Sequence, residues 1–320
     1  MNPEMKRLST RVGRLLTPTL ALLALVSVTL VGMQQSKANA LARSVSRLTT
    51  EVNRLRQEQS MPVDVLAQHR NSICFLHAVY SLTRPDLLGR GERVFRARVS
   101  ATGFVAAPGV IATNRHVVQP WWDDDHDQEL IRQGASPKLE KLEAFFPDSS
   151  TSVPLYGPEV SSTADVAVVR FKLADAGPRI KPLPLASEAA TPGDPVVVVG
   201  YPLGVTTMLA KSPGGVYKRL AYTHDTVDIA RDLAAHYLIR PSATYGHLGD
   251  VVDDKLVYDA PTAQGGSGGP VFDSEGNVIG VNAAYIDGFA GGTIGISVQA
   301  LKPLVESATE SDLADSRAQH

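Results

Sequence analysis

Gly265-Gly266-Ser267-Gly268-Gly269-Pro270 sets four glycines around one serine, between two strand-like runs, Lys255-Leu-Val-Tyr258 and Val271-Phe272. Glycine reaches positive φ and lets main-chain N–H groups crowd into a small volume, which is how an anion-stabilising pocket is built. The segment reads as a tight turn in a β-rich region that leaves its hydroxyl exposed, a candidate nucleophile. A glycine-rich hairpin with an incidental serine has the same local pattern, so the partners decide.

A serine hydroxyl is a weak nucleophile until a base takes its proton, and the base works best when a third group orients it. Among eight histidines, His116 has the telling context. It closes Thr102-Gly-Phe-Val-Ala-Ala-Pro-Gly-Val-Ile-Ala-Thr-Asn-Arg-His116, two apolar runs about a Pro108-Gly109 turn, which reads as a hairpin with histidine at its end. Asp165 heads the apolar strand Val166-Ala-Val-Val-Arg-Phe, where a carboxylate needs a partner.

Thr-Asn-Arg-His116-Val-Val, Asp165-Val-Ala-Val-Val and Gly265-Gly-Ser267-Gly-Gly-Pro together resemble the catalytic blocks of trypsin-like serine proteases. Gly193-Asp-Pro-Val-Val-Val-Val-Gly-Tyr-Pro-Leu-Gly204, Asp259-Ala-Pro, Gly276-Asn-Val-Ile-Gly-Val-Asn282 and Gly292-Thr-Ile-Gly-Ile-Ser297 resemble segments of the bacterial HtrA branch in the same order. The likeness covers roughly Ser72 to Leu304 and has the order His, Asp, Ser. It implies an all-β fold of two six-stranded barrels, about 63–176 and 187–305, with the site in the cleft between them. It also implies catalytic roles for His116, Asp165 and Ser267, and an oxyanion hole from the backbone N–H groups of Gly265, Gly266 and Ser267. Protein or peptide substrates follow, and no metal or organic cofactor is implied.

Two features depart from the wider family pattern. Trypsin carries an aspartate just before the serine; Gly266 stands here, so activation by a freed N-terminus is not implied. HtrA proteases commonly carry a PDZ domain after the protease, and the residues from Val305 to His320 are too few for one. The expected substrate pocket is lined by Asp259, Pro261, Thr262, Ala263 and Gln264 before the serine and by Ala283, Ala284 and Tyr285 after it. These are small or apolar for the most part, so cleavage after small aliphatic residues is expected, since an apolar pocket rejects Arg and Lys by desolvation.

The front of the chain reads as an export segment. Lys6, Arg7, Arg11 and Arg14, within a basic tail of residues 1–14, precede an apolar run from Leu15 to Met33, about 28 Å long as a helix and close to one hydrocarbon core. A retained anchor would place the protease domain in the periplasm, tethered to the inner membrane with the basic flank in the cytoplasm. The alternative is a cleaved signal peptide, for which Ala38-Asn-Ala40 supplies an A-x-A site. A helical stalk over 34–62 follows. Leu41, Val45, Leu48, Val52 and Leu55 alternate at spacings of four and three, an a/d seam over residues 38–58 that suits a homo-oligomer, with Arg47–Glu51 and Arg54–Glu58 pairs outside. Pro62 is expected to end it.

Net charge of −2 over 320 residues gives no electrostatic case for nucleic acid. The single cysteine, Cys74, excludes an internal disulfide and reads as core, as does His77 in the same strand. His116 to Asp165 is 165 − 116 = 49 residues and Asp165 to Ser267 is 267 − 165 = 102, so two surface insertions are expected. The acidic run from Trp121 to Asp127 lacks the spacing of a Ca²⁺ loop and reads as solvated. The stretch from Val205 to Arg240 contains a helix capped by Asp225, expected to border or cover the cleft, so that deleting 210–236 raises turnover. The tail, 306–320, is expected to be a short helix or a frayed end.

Overall fold

A computed structural model describes residues 3–85, 91–175, 177, 179–223, 225–285 and 292–318, with side chains from Leu22 to Ser311 apart from Tyr285. The chain divides into two compact units, 1–59 and 60–320.

From Pro3 onward the first unit is helix, part of α1 (Pro3–His69). Among the described residues no helix is long and apolar enough to cross a membrane; residues 15–21 of the expected span lie outside the described side chains. From Leu22 to Met33 the apolar side chains are exposed, as are Leu41, Val45, Leu48, Val52 and Leu55. Arg54 pairs with Glu58 at 3.6 Å and draws Glu51 to itself at 2.8 Å. The helix does not stop at Pro62. It continues to His69 because Met61 and Val65 bury in the core of the second unit and His69 stacks on Phe272 at 5.2 Å.

Within the second unit the first sheet contains β1 (Ile73–Pro85), β2 (Glu92–Ala107), β3 (Val110–Thr113), β4 (Ser136–Phe145), β5 (Val153–Pro154), β6 (Tyr156–Val160) and β7 (Ala167–Arg170). The short helices α2 (Arg115–Val118) and α3 (Asp125–Arg132) lie between β3 and β4 in the chain. Its order is β5-β4-β1-β2-β3-β7-β6. This corrects the expected first barrel: the sheet has seven strands and is open. Its edge strands are neighbours in sequence, separated by Leu155, so the sheet curls toward closure. Pro154 and Pro158 stand in those edges and have no N–H to offer a further ladder.

The second barrel is closed and six-stranded as expected, in the order β10-β13-β12-β11-β8-β9. Its strands are β8 (Pro195–Gly200), β9 (Ser242–Val252), β10 (Lys255–Tyr258), β11 (Pro270–Phe272), β12 (Val278–Tyr285) and β13 (Thr293–Ser297). Between β8 and β9 the chain makes α4 (Val205–Ala210), α5 (Gly214–Leu220) and α6 (Thr226–Ala235), and α7 (Val298–Ala318) follows the last strand. The second insertion is therefore helical, and Asp225 caps α6 by accepting from Val227 N–H at 2.9 Å.

The insertion is not a detachable cover. Leu220, Ile229, Ala230, Leu233 and Ala234 are buried in the same core as Val196–Val199 and Phe272, so removing 210–236 would open that core, and the deletion expectation is withdrawn. Cys74 and His77 are buried, as expected; burial pushes the Cys74 thiol up from its ordinary value. The acidic run after Trp122 is the start of α3, capped by the Asp124 side chain, and Asp127 accepts from Tyr80 at 2.7 Å. Among the described residues no three potential metal ligands converge.

Candidate active site

His116 sits in α2, one turn after the β2–β3 hairpin, whose Gly109 takes φ +77° in the Pro108-Gly109 turn. Asp165 lies two residues before β7, which pairs with β3 from Thr113↔Ala167. That ladder brings the two side chains together. The Asp165 carboxylate accepts from His116 backbone N–H through Oδ1 at 3.0 Å and meets His116 Nδ1 through Oδ2 at 2.7 Å. With Nδ1–H donating, Nε2 is left free of its proton, the tautomer a general base needs. Asn114 donates to the Asp165 carbonyl at 2.7 Å and so holds the loop that presents the carboxylate.

Ser267 lies between β10 and β11. It lines a cleft of about 420 Å³ together with His116, Gly265 and Gln264. Its hydroxyl donates to the Ala283 carbonyl at 3.0 Å, and among the described residues no hydrogen bond joins it to His116.

The glycine turn is braced from both sheets. Gly265 takes φ +93° and Gly268 φ +85°. The Gly266 N–H donates to Ala263 O at 2.8 Å, which leaves Gly265 and Ser267 as the two N–H groups of the turn without an acceptor among the described residues. A Cβ on Gly266 would come 2.5 Å from Thr262 Oγ1 and 3.0 Å from Ala263 O. A side chain at this position would therefore require Thr262 to move, which would cost its bond with Asn282.

Two buried polar side chains carry the turn. Thr102 of β2 donates from Oγ1 to Gly265 O at 2.8 Å and accepts from Tyr201 N–H at 3.0 Å, while its own N–H donates to Ser267 O at 2.8 Å. Asn282 of β12 donates to Gly266 O at 2.8 Å and Thr262 Oγ1 at 3.0 Å, and accepts from Tyr258 at 2.8 Å. Sequence reasoning gave neither a role. Their signal was a polar residue inside an apolar strand run, which has to find partners when buried.

The expected pocket residues part company. Gln264 faces the cleft, and Ala283 supplies the carbonyl that holds Ser267. Thr262 and Pro261 line a crevice of only about 10 Å³ with Gly200 and Gly266, too small for a side chain. Ala263 serves through its carbonyl on Gly266. Asp259 accepts from His247 N–H at 2.5 Å and is thereby tied to β9. Ala284 is exposed and pairs with Ile294; Tyr285 pairs with Thr293, and its side chain lies outside the described residues.

A family model described as a trypsin-like peptidase domain matches residues 101–281, more than half of the chain. The chain belongs to the trypsin-like peptidase family. Among relatives of that family, the serine proteases Rv3671c and MT3772 of two Mycobacterium tuberculosis strains are each 32% identical over 185 residues, 57% of this chain and 35% of theirs. The chain thus spans about a third of their length. Among solved structures, the HtrA-type protease AlgW with a decapeptide has a TM-score of 0.51 at 16% identity, covering 78% of this chain and 66% of that one. The inactive form of the Rv3671c protease has a TM-score of 0.47 at 20% identity, covering 76% and 92%. The trypsin-like peptidase fold is common to this chain and AlgW.

Proposed function

We propose that this protein is a serine endopeptidase acting on proteins or peptides of the bacterial envelope through an acyl-enzyme. Ser267 Oγ attacks the peptide carbonyl, and His116 Nε2 takes its proton and returns it to the leaving amine. Asp165 fixes the imidazole tautomer and stabilises its charge. The N–H groups of Gly265 and Ser267 receive the developing oxyanion. The observation that carries this reading is the double grip of Asp165 on His116, at 3.0 and 2.7 Å, beside a cleft that Ser267 also lines. A carboxylate with only a structural role has no need to set an imidazole tautomer.

The residue before the scissile bond would be small and aliphatic, in keeping with the small, apolar Ala283 beside Ser267. The apolar run at 15–33 behind its basic flank supports an inner-membrane tether with the peptidase on the periplasmic side, and the exposed stripe from Leu41 to Leu55 supports a homo-oligomer. One observation favours a second reading, a protease-fold binding module with little turnover: the Ser267 hydroxyl rests on Ala283 O.

Labelling of the full-length protein with a fluorophosphonate, with Ser267→Ala as control, decides between them. Covalent labelling lost in Ser267→Ala is expected. No labelling, with peptide bound but left whole, would establish the binding module instead.

A further inference from the structure

The cleft beside Ser267 has a wall that the catalytic reading does not use. The residue before the scissile bond is expected beside Gln264 and Ala283, and from Gln264 the cleft extends past Ser267 and His116 to residues that the catalytic reading does not use. Besides Ser267 and His116 it is lined by Arg98–Ala101 of β2, by Leu203, Val205 and Thr206 at the start of α4, and by Thr226 of α6. His116 must hand its proton to the leaving amine, so the chain beyond the scissile bond passes along this His116-lined side.

Leu203 is the notable residue of that wall. It is 58% exposed and takes φ +58°, a region a bulky apolar side chain enters only when its surroundings impose it. Its N–H donates to Gln264 O at 2.6 Å, next to the oxyanion turn. A Cβ on Gly265 would meet Tyr201 O at 2.6 Å and Gly204 N at 3.0 Å, so the two turns are locked against each other. The strain thus holds an apolar side chain at the rim of the cleft, one turn away from the reacting carbonyl.

The wall's charge is already matched. Arg98 pairs with Asp225 at 3.0 Å, and Thr226 is held by His77 at 3.0 Å. Beyond His116, Arg98 is the one charged residue lining this cleft among the described residues, and with Arg98 paired the described wall presents an apolar surface at Leu203 and Val99.

We propose that Leu203 is a specificity-determining residue for the leaving-group side, selecting substrates with an apolar residue immediately after the scissile bond. This rests on the endopeptidase reading. The substrate class is an unfolded or extended segment with a small aliphatic residue on one side of the cut and a larger apolar residue on the other. Docking that residue on Leu203 covers both apolar surfaces as the carbonyl reaches the glycine turn.

The test is a digest of denatured casein by the full-length protein, in which the new N-termini are sequenced by mass spectrometry, followed by paired quenched peptides that differ only in leucine or serine after the cut. Leu203→Gly and Leu203→Asn keep the backbone N–H and suit positive φ; fluorophosphonate labelling shows that each is folded with a reactive serine. The wild type should favour leucine over serine by about tenfold in kcat/KM, the scale set by a modest apolar contact, and both variants should bring that ratio close to one. Labelling and cleavage without an apolar preference, or a preference unchanged in both variants, would overturn the inference alone. Absence of labelling and cleavage in the wild type would remove the endopeptidase reading and the inference with it.

Discussion

Asp165 meets His116 at two donors, so replacing one carboxylate oxygen with an amide sets a donor against a donor at one of them. Asp165→Asn should keep the fold and lower kcat by about 10⁴-fold, the size expected when the imidazole is held in the wrong tautomer; steady-state hydrolysis of a quenched peptide measures it. Thr102 has no chemistry of its own, yet its hydroxyl bridges Tyr201 N–H and Gly265 O. Thr102→Val strands both, at about 1–3 kcal/mol for each buried group left unpaired. Urea unfolding should show the loss and fluorophosphonate labelling should slow, while Thr102→Ser restores both. The three residues of the proposed triad were legible as candidates in the sequence because the turn, the hairpin end and the strand head each mark a place where a polar side chain is out of pattern. Thr102 and Asn282 were not, because a single polar residue in an apolar run says that a partner exists without saying which.

At the scale of the elements, α6 is fastened to the first sheet by buried polar contacts as well as by its apolar face. His77 on β1 bonds Thr226, and burial lowers its pKa against the raising influence of Glu143 and Asp225; Arg98 and Lys141 act in the same direction as burial. His69 is likewise lowered, chiefly by burial. A histidine whose pKa is depressed in the folded state binds fewer protons there than when unfolded. Stability is therefore full above the ordinary histidine value of about 6.5 and falls as pH drops through it toward the folded-state value. Thermal melts from pH 8 to 5 should show that fall, and His77→Gln should shallow it; a flat profile in the wild type would refute the linkage. Leu233, fully buried in α6, adds the apolar half: Leu233→Ala should cost about 2–5 kcal/mol in urea unfolding. The sequence gives α6 its cap and its periodicity. It does not disclose that an insertion has been built into the core, because burial of Ile229 and Leu233 depends on which neighbouring surface their helix meets. The open first sheet was hidden for a similar reason: closure depends on whether the edges can donate, and Pro154 and Pro158 stand at those edges.

At the scale of the whole molecule, the first unit leaves a regular stripe of apolar side chains exposed. Leu41, Val45, Leu48, Val52 and Leu55 are between 44% and 66% exposed along one stripe of a continuous helix. The stripe has the spacing of a coiled-coil seam, and the Arg54–Glu58 and Arg54–Glu51 pairs sit among the intervening polar positions. Each fully buried side chain of this kind is worth about 1.5–3 kcal/mol, so even partial burial of five per helix outweighs the surface ion pairs, which contribute at most about 1 kcal/mol each. A second copy of the same helix would present the matching stripe in the matching register. The full-length protein in detergent should therefore sediment as a dimer or trimer. Leu48→Glu, which sets a charge at the middle of the seam, should shift it to a monomer while leaving the Ser267 turn, more than 200 residues away in the sequence, open to the fluorophosphonate. A wild-type chain that is monomeric across the accessible concentration range would reduce the stripe to a solvated stalk. A monomeric Leu48→Glu that no longer labels would instead tie assembly to the position of the serine, which in the monomer rests on Ala283 O.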